Sequence, residues 1–205
     1  MAPRPLVFKA GFYLTALLST WALALSRARR KAVFLTGRPG IGKTTVLLRA
    51  VELLKARGAR VGGMVSREVR EGGRRVGFEI IDIATGRRGW LAHINQPVGP
   101  RLGKYRVNLA DLENVGVRAI REAIGHADIV VIDEVGPMEL FSAEFRRAVR
   151  EALESGKPVL GTIHYRARGP LLNAIREDPS IEVITVTLQN RDRLPEQVAS
   201  MLGAA

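Results

Sequence analysis

The stretch Gly37-Arg38-Pro39-Gly40-Ile41-Gly42-Lys43-Thr44, followed by Thr45, decides how this chain reads. It fits the phosphate-binding loop pattern of glycine, four residues, then glycine, lysine and threonine. Glycines let consecutive backbone N–H groups curl around phosphate oxygens with no Cβ in the way. A helix starting at such a loop turns its positive N-terminal end to the same phosphates. In that arrangement Lys43 reaches the β- and γ-phosphates, and the Thr44 hydroxyl holds Mg²⁺. The pattern predicts that the chain binds a nucleoside triphosphate.

The flanks supply the context that the motif needs. Ala32-Val33-Phe34-Leu35-Thr36 is short, apolar and partly β-branched, as a buried strand is. From Thr44 to Arg57 the apolar residues Val46, Leu47, Ala50, Val51, Leu53 and Leu54 fall at helical spacing, and Gly58 stops the helix.

Further along, 59–66 reads as a second strand and 68–83 as a hairpin turning at Gly72-Gly73. A short strand near 89–92 completes a β-rich insertion. Residues 95–104, with two prolines and two glycines, predict a loop suited to be a lid over phosphates. A helix is expected over 109–127, interrupted near Gly116. Ser142 caps another that runs to Ser155 and ends at Gly156. Strands are expected at 158–163 and 181–188, a short helix at 171–176, and a last helix from Pro195. The alternation predicts an α/β fold: a mainly parallel sheet with helices on both faces and a β-hairpin insertion.

Ile129-Val130-Val131-Ile132-Asp133-Glu134 carries the second nucleotide motif, a Walker B pattern. Four apolar residues bury the strand and deliver Asp133 to its C-terminal end, where open α/β sheets bind ligands. Asp133 is placed to hold Mg²⁺ beside Thr44. Glu134, the next carboxylate, is placed to act as general base on a water, which favours hydrolysis; a structural salt bridge is the alternative. Lys43 and Glu134 are thus the expected catalytic pair. Candidate extra cations are Arg38 and Lys104, then Arg67 and Arg70, each otherwise an ordinary surface charge. Thr162 and His164 are placed to sense the γ-phosphate or the water, with a structural histidine as the competing reading.

Composition narrows the class. The 205 residues are enough for one domain. No cysteine is present, so disulfides, thiolate catalysis and cysteine-ligated zinc are excluded. The net charge is +12, half of it from residues 1–31. Such a charge attracts polyanions, but no dedicated nucleic-acid module accompanies it.

Residues 11–25 form an uncharged apolar run of 15, short of the roughly 20 that span a bilayer. Three readings stand: a membrane anchor or interfacial helix, an extra packed helix, or an artefact of the assigned start. The favoured one is a start-site artefact or dispensable extension over 1–31, before a catalytic domain at 32–205. Cytoplasmic location is expected, because the substrates are intracellular. Alternatives to the hydrolase are a P-loop small-molecule or nucleic-acid kinase, and a nucleotide-gated binding module on RNA or membrane.

The chain also resembles a family of small P-loop nucleoside-triphosphatases first described in thermophiles, whose vertebrate members are called cancer-related nucleoside-triphosphatase. The resemblance rests on TGRPGIGKTT (36–45), EVREGGRRVGFEIID (68–82), TGRRGWLAH (85–93), GKYRVNL (103–109), VVIDEVGPMEL (130–140), GTIHYRA (161–167) and NRDRLPEQV (190–198). It implies a RecA-like sheet and a monomeric enzyme that slowly hydrolyses ATP, GTP, CTP and UTP to the diphosphate. It further implies nucleotide contacts from Gly37 through Thr44 and from Val130, Val131, Ile132, Asp133, Glu134, Val135, Gly136 and Pro137. Asn190 and Arg191 resemble a segment near the base. Residues 1–31 depart from the family.

Overall fold

The computed structural model describes residues 32–203. The expectations about 1–31, including the apolar run at 11–25, lie outside the described residues. No helix among the described residues is long and apolar enough to cross a membrane.

In chain order, β1 (Ala32–Thr36) leads through the glycine loop into α1 (Lys43–Ala56). Four strands follow, β2 (Val61–Glu71), β3 (Arg74–Asp82), β4 (Arg88–His93) and β5 (Arg101–Leu102), then β6 (Tyr105–Val107). Helix α2 has three consecutive parts: Leu109–Asp111, a π-helical Leu112–Val117, and Arg118–His126. Then come β7 (Ile129–Val135), a 3₁₀ turn (Glu139–Phe141), α3 (Ala143–Glu154) and β8 (Val159–Ile163). The chain closes with α4 (Pro170–Glu177), β9 (Ile181–Thr185) and α5 (Leu194–Leu202).

One nine-stranded sheet has the order β5-β6-β4-β3-β2-β7-β8-β1-β9. The half β2-β7-β8-β1-β9 is parallel, and β3, β4, β6 and β5 extend it antiparallel. The composition of the strands accounts for this split. All five residues of β1 are buried, as expected of a parallel strand covered on both faces. In β2 the first five residues are buried and the rest mostly exposed, because only the first part lies in the doubly covered half.

Each central strand feeds two cores, since successive side chains point to opposite faces. Phe34, Val130 and Ile132 join Ile120, Phe145 and Leu172 under α2, α3 and α4. Val33, Leu35 and Val131 join Leu47, Leu54 and Val198 under α1 and α5. Burying each such side chain contributes about 1.5–3 kcal/mol.

The elements differ from the expectation at several places. β2 runs unbroken from Val61 to Glu71, because its outer part pairs with β3 across the Gly72-Gly73 turn. The proline-containing loop narrows to 94–100, since Arg101–Leu102 pairs with β6. Gly116 does not break α2 but sits in its π-helical part. A Cβ there would lie 2.9 Å from Met64 Sδ, so a larger residue would force the Met64 side chain on β2 to shift.

Candidate active site

The loop after β1 takes its shape from glycine. Gly37, Gly40 and Gly42 have φ of 147°, 76° and 106°, values L side chains rarely adopt. At Gly37 a Cβ would also lie 2.9 Å from the Val186 carbonyl oxygen. The Ile41 N–H donates to the Arg38 carbonyl (3.2 Å) and closes the turn. No side chain caps the start of α1, and its first turn carries no acid. Its leading N–H groups are therefore suited to a bound anion. Lys43 Nζ lies 3.5 Å from the Gly37 carbonyl, across the loop.

The opposite side of the site comes from β7. Val130, Val131, Ile132 and Val135 are buried in the sheet core, so they carry Asp133 and Glu134 rather than facing the cavity. Between Ile132 and Val135 the register with β8 slips: three residues on β7 span two on β8. This bulge falls at Asp133-Glu134, where it re-aims both carboxylates. The Asp133–Glu134 peptide is cis.

Two hydroxyls converge on Asp133 Oδ1, Thr162 Oγ1 donating at 2.7 Å and Thr44 Oγ1 at 3.3 Å. Thr162 is fully buried, so it orients Asp133 instead of meeting phosphate or water, contrary to the expectation for it. Asp133 Oδ2 and Glu134 Oε1 are buried with no hydrogen-bond partner among the described residues. Leaving such an atom unpaired costs about 1–3 kcal/mol, which calls for a ligand. An all-oxygen set of hydroxyl and carboxylate suits a hard divalent cation. Thr44 and Asp133 fit that role. Among the described residues no group of three or more His, Asp or Glu gathers to hold a metal, which leaves the other positions to phosphate oxygens and water.

Burial sets the electrostatics. It pushes Asp133 up to about 6 despite the two hydroxyls, with Glu134 adding repulsion. Glu134 is also raised by burial, with Lys43 opposing. His164 is lowered by burial and by Lys43 and Arg176. Its Nδ1 accepts from the N–H groups of Arg166 and Ala167, so its free proton sits on Nε2.

A cavity of ≈ 500 Å³ joins these parts. Of the residues named from the sequence, Gly37, Pro39, Gly40, Gly42, Lys43, Thr44, Thr45, Glu134, Gly136, Pro137 and His164 line it. Other expected residues are elsewhere. Lys104 donates to the Arg75 carbonyl (2.9 Å) and lies over the Tyr105 ring, spent on holding the insertion together. Arg38 is exposed and lines no part of the cavity; Ile41 instead packs on the core beneath α1. Arg67 pairs with Glu79, and Arg70 with Glu68. Asn190 accepts from Thr187 N (2.8 Å) and donates to the Thr185 carbonyl (2.9 Å), so its amide builds its own loop. Arg191 is exposed, 3.8 Å from Asp192.

The sequence reading missed Glu139. It is 5 % exposed and faces the cavity from the 3₁₀ turn. A Cβ on Gly136 would lie 3.1 Å from Glu139 Oε2 and 3.3 Å from Glu134 Cγ, so the two acids flank that glycine. Burial, with repulsion from Glu134, pushes Glu139 up to about 8 from 4.5. The usable signal was an acid between Met138 and Leu140, where the turn has to be buried.

Glu139 gives a stability prediction. Between its unfolded value of 4.5 and its folded value of about 8, the unfolded chain loses this proton while the folded chain keeps it. Folding stability from this group is therefore complete below 4.5 and is lost as pH rises towards 8. The full span corresponds to roughly 5 kcal/mol. Urea unfolding of the wild type should show lower stability at pH 8 than at pH 5, and Glu139→Gln should remove most of that difference. An undiminished difference in the variant would assign it to other groups.

A family model described as NTPase covers residues 32–199. The chain is 56% identical to the nucleoside-triphosphatase THEP1 of Thermofilum pendens, over 85% of this chain and 96% of that protein. Its structure is similar to the crystal structure of THEP1 from Aquifex aeolicus, with a TM-score of 0.74, 34% identity, and coverage of 84% and 99% of the two chains. It is also similar to the solution structure of a human cancer-related nucleoside triphosphatase, with a TM-score of 0.71, 39% identity, and coverage of 83% and 96%. The family match begins at the first residue of β1 and takes in the glycine loop, the bulged Asp133-Glu134 strand and the insertion, so the chain belongs to the NTPase family.

Proposed function

We propose that this chain is a Mg²⁺-dependent nucleoside-triphosphatase that hydrolyses ATP, GTP, CTP and UTP to the diphosphate and phosphate. The observation that carries this reading is the pair of buried, unpartnered oxygens, Asp133 Oδ2 and Glu134 Oε1, opposite the glycine loop and Lys43. The loop N–H groups and the start of α1 bind the phosphates, and Lys43 neutralises charge that gathers on the γ-phosphoryl oxygens. Thr44 and Asp133 would hold the magnesium, which when bound supplies further charge neutralisation at the phosphates. Thr162 fixes the Asp133 carboxylate for that task.

Glu134 takes a proton from a water in the cavity. The water oxygen bonds to the γ-phosphorus, the bond to the β–γ bridging oxygen breaks, and the diphosphate leaves. Transfer of this kind asks for positioning and charge stabilisation, which these groups provide. Broad base tolerance is supported by Asn190, whose amide is used at both ends within its own loop. On the same reading the catalytic unit is 32–205, residues 1–31 take no part in the reaction, and the enzyme is a cytoplasmic monomer.

The test is steady-state phosphate release from the four triphosphates, with Mg²⁺ and with excess EDTA. Values of kcat/KM within about tenfold of one another are expected, since the Asn190 amide is engaged within its own loop. EDTA should stop turnover. A single accepted base would refute the tolerance, and full activity in EDTA would refute the magnesium site.

A further inference from the structure

The cavity has a wall that hydrolysis does not need. Phe78 of β3, Leu91 of β4 and Leu102 of β5 line it, with Met138 and Tyr165. Five apolar or aromatic side chains do nothing for a water molecule. A wall of this kind with a few converging polar groups suits an organic body. The charges there are also restricted. Among the described residues, Lys43 is the one cationic side chain that lines the cavity. Glu68 is already paired with Arg70 at 2.5 Å and Arg75 at 2.8 Å. Glu134 lines the same cavity, with its buried Oε1 unpartnered among the described residues.

We propose that the space between the glycine loop and the strand insertion is a second-substrate site, which takes a small uncharged alcohol with a flat apolar body and phosphorylates its hydroxyl. The inference rests on the triphosphatase reading, with the alcohol oxygen in the place of water. Glu134 accepts the hydroxyl proton. The alcohol oxygen's electron pair forms the bond to the γ-phosphorus. The bond from that phosphorus to the β–γ bridging oxygen breaks, and its electrons leave with the diphosphate. The products are a phosphate monoester, the diphosphate and a proton passed from Glu134 to solvent.

The lining also selects against a phosphorylated acceptor. Its phosphate would add negative charge beside the triphosphate and Glu134, and the nearby Arg75 guanidinium, 5.2 Å from the Phe78 ring centroid, is already paired with Glu68. A buried charge without a partner is strongly disfavoured. A neutral hydroxyl brings no such cost.

The experiment uses the full chain with Mg²⁺ and ATP labelled at the γ-phosphate. Adenosine, cytidine, guanosine and uridine serve as flat uncharged alcohols, with AMP as the charged control. Labelled nucleoside monophosphate is separated from inorganic phosphate. Label is expected in the monophosphate of at least one nucleoside and not in ADP formed from AMP. That nucleoside should raise the total rate of ATP consumption by about tenfold, because a bound acceptor replaces a diffusing water. Phe78→Leu and Leu102→Ala should each raise the KM for that nucleoside several-fold more than they change kcat. An unchanged KM in both would overturn the assigned place. Phosphate release with no transfer to any nucleoside overturns the second site and leaves the triphosphatase reading standing. Neither release nor transfer overturns both. Transfer to AMP alone overturns the uncharged class.

Discussion

Lys43→Ala is expected to lower kcat/KM for triphosphate hydrolysis by at least about 10²–10³-fold, the usual effect of removing one preorganised group that stabilises transition-state charge. Among the described residues the side chain is the only cation lining the cavity, so no lining neighbour takes over its charge. Its sole hydrogen bond in the structure is a 3.5 Å contact with the Gly37 carbonyl, at the weak limit for such a bond. Folding should therefore change little, by about 0.5 kcal/mol or less, as for a substitution outside the core. Lys43→Arg should not rescue turnover, because a forked planar guanidinium does not replace a compact ammonium in a closely fitted loop. The check is phosphate release at saturating and subsaturating ATP, with urea unfolding alongside. Turnover within a few-fold of wild type would remove Lys43 from the chemistry. Lost turnover together with lost folding would make its role structural.

Glu134→Gln is expected to keep nucleotide binding and to lose turnover by about 10²–10⁴-fold, the range assigned to a positioned general base. The substitution keeps the shape of the side chain and removes its ability to accept a proton. A purely structural salt bridge predicts something else, namely lower stability and a partial loss of both binding and rate. The structure speaks against that alternative, since Glu134 Oε1 is buried and unpartnered. Removing the charge should even ease folding at neutral pH, because Glu134 repels both Asp133 and Glu139. The check is a fluorescent-nucleotide titration paired with single-turnover phosphate release. Unchanged release would exclude Glu134 as the base.

Much of this site is written in short sequence patterns. The glycine loop needs no distant partner to be read, since backbone conformation and the following helix start set its function. Asp133 and Glu134 follow from the buried strand that carries them. The bulge at these two residues is not legible, because it is a property of the pairing between β7 and β8. Thr162 illustrates the same limit. The strand end was readable, but which way its hydroxyl points depends on β8 lying beside β7.

Lys104 shows a different failure. A lone lysine in a glycine-rich loop looks available for phosphate, yet Arg75 and Tyr105, brought close by the insertion, use it first. β9 ends at Thr185 rather than Leu188, where the chain turns: the Asn190 side chain accepts from the Thr187 N–H and donates to the Thr185 carbonyl, and the Arg191 N–H donates to the Thr187 carbonyl. Glu139 and the apolar wall of Phe78, Leu91 and Leu102 come together only through tertiary packing. No spacing rule along the chain unites them.

The central claim is that water, activated at Glu134, attacks the γ-phosphorus. Hydrolysis of ATP by the wild type in ¹⁸O-enriched water tests this most directly. Mass spectrometry of the products should find one ¹⁸O atom in the released phosphate and none in ADP, with this labelled phosphate falling away in Glu134→Gln. Label in ADP would place the attack at the β-phosphorus, and either that result or undiminished labelling in the variant would contradict the account.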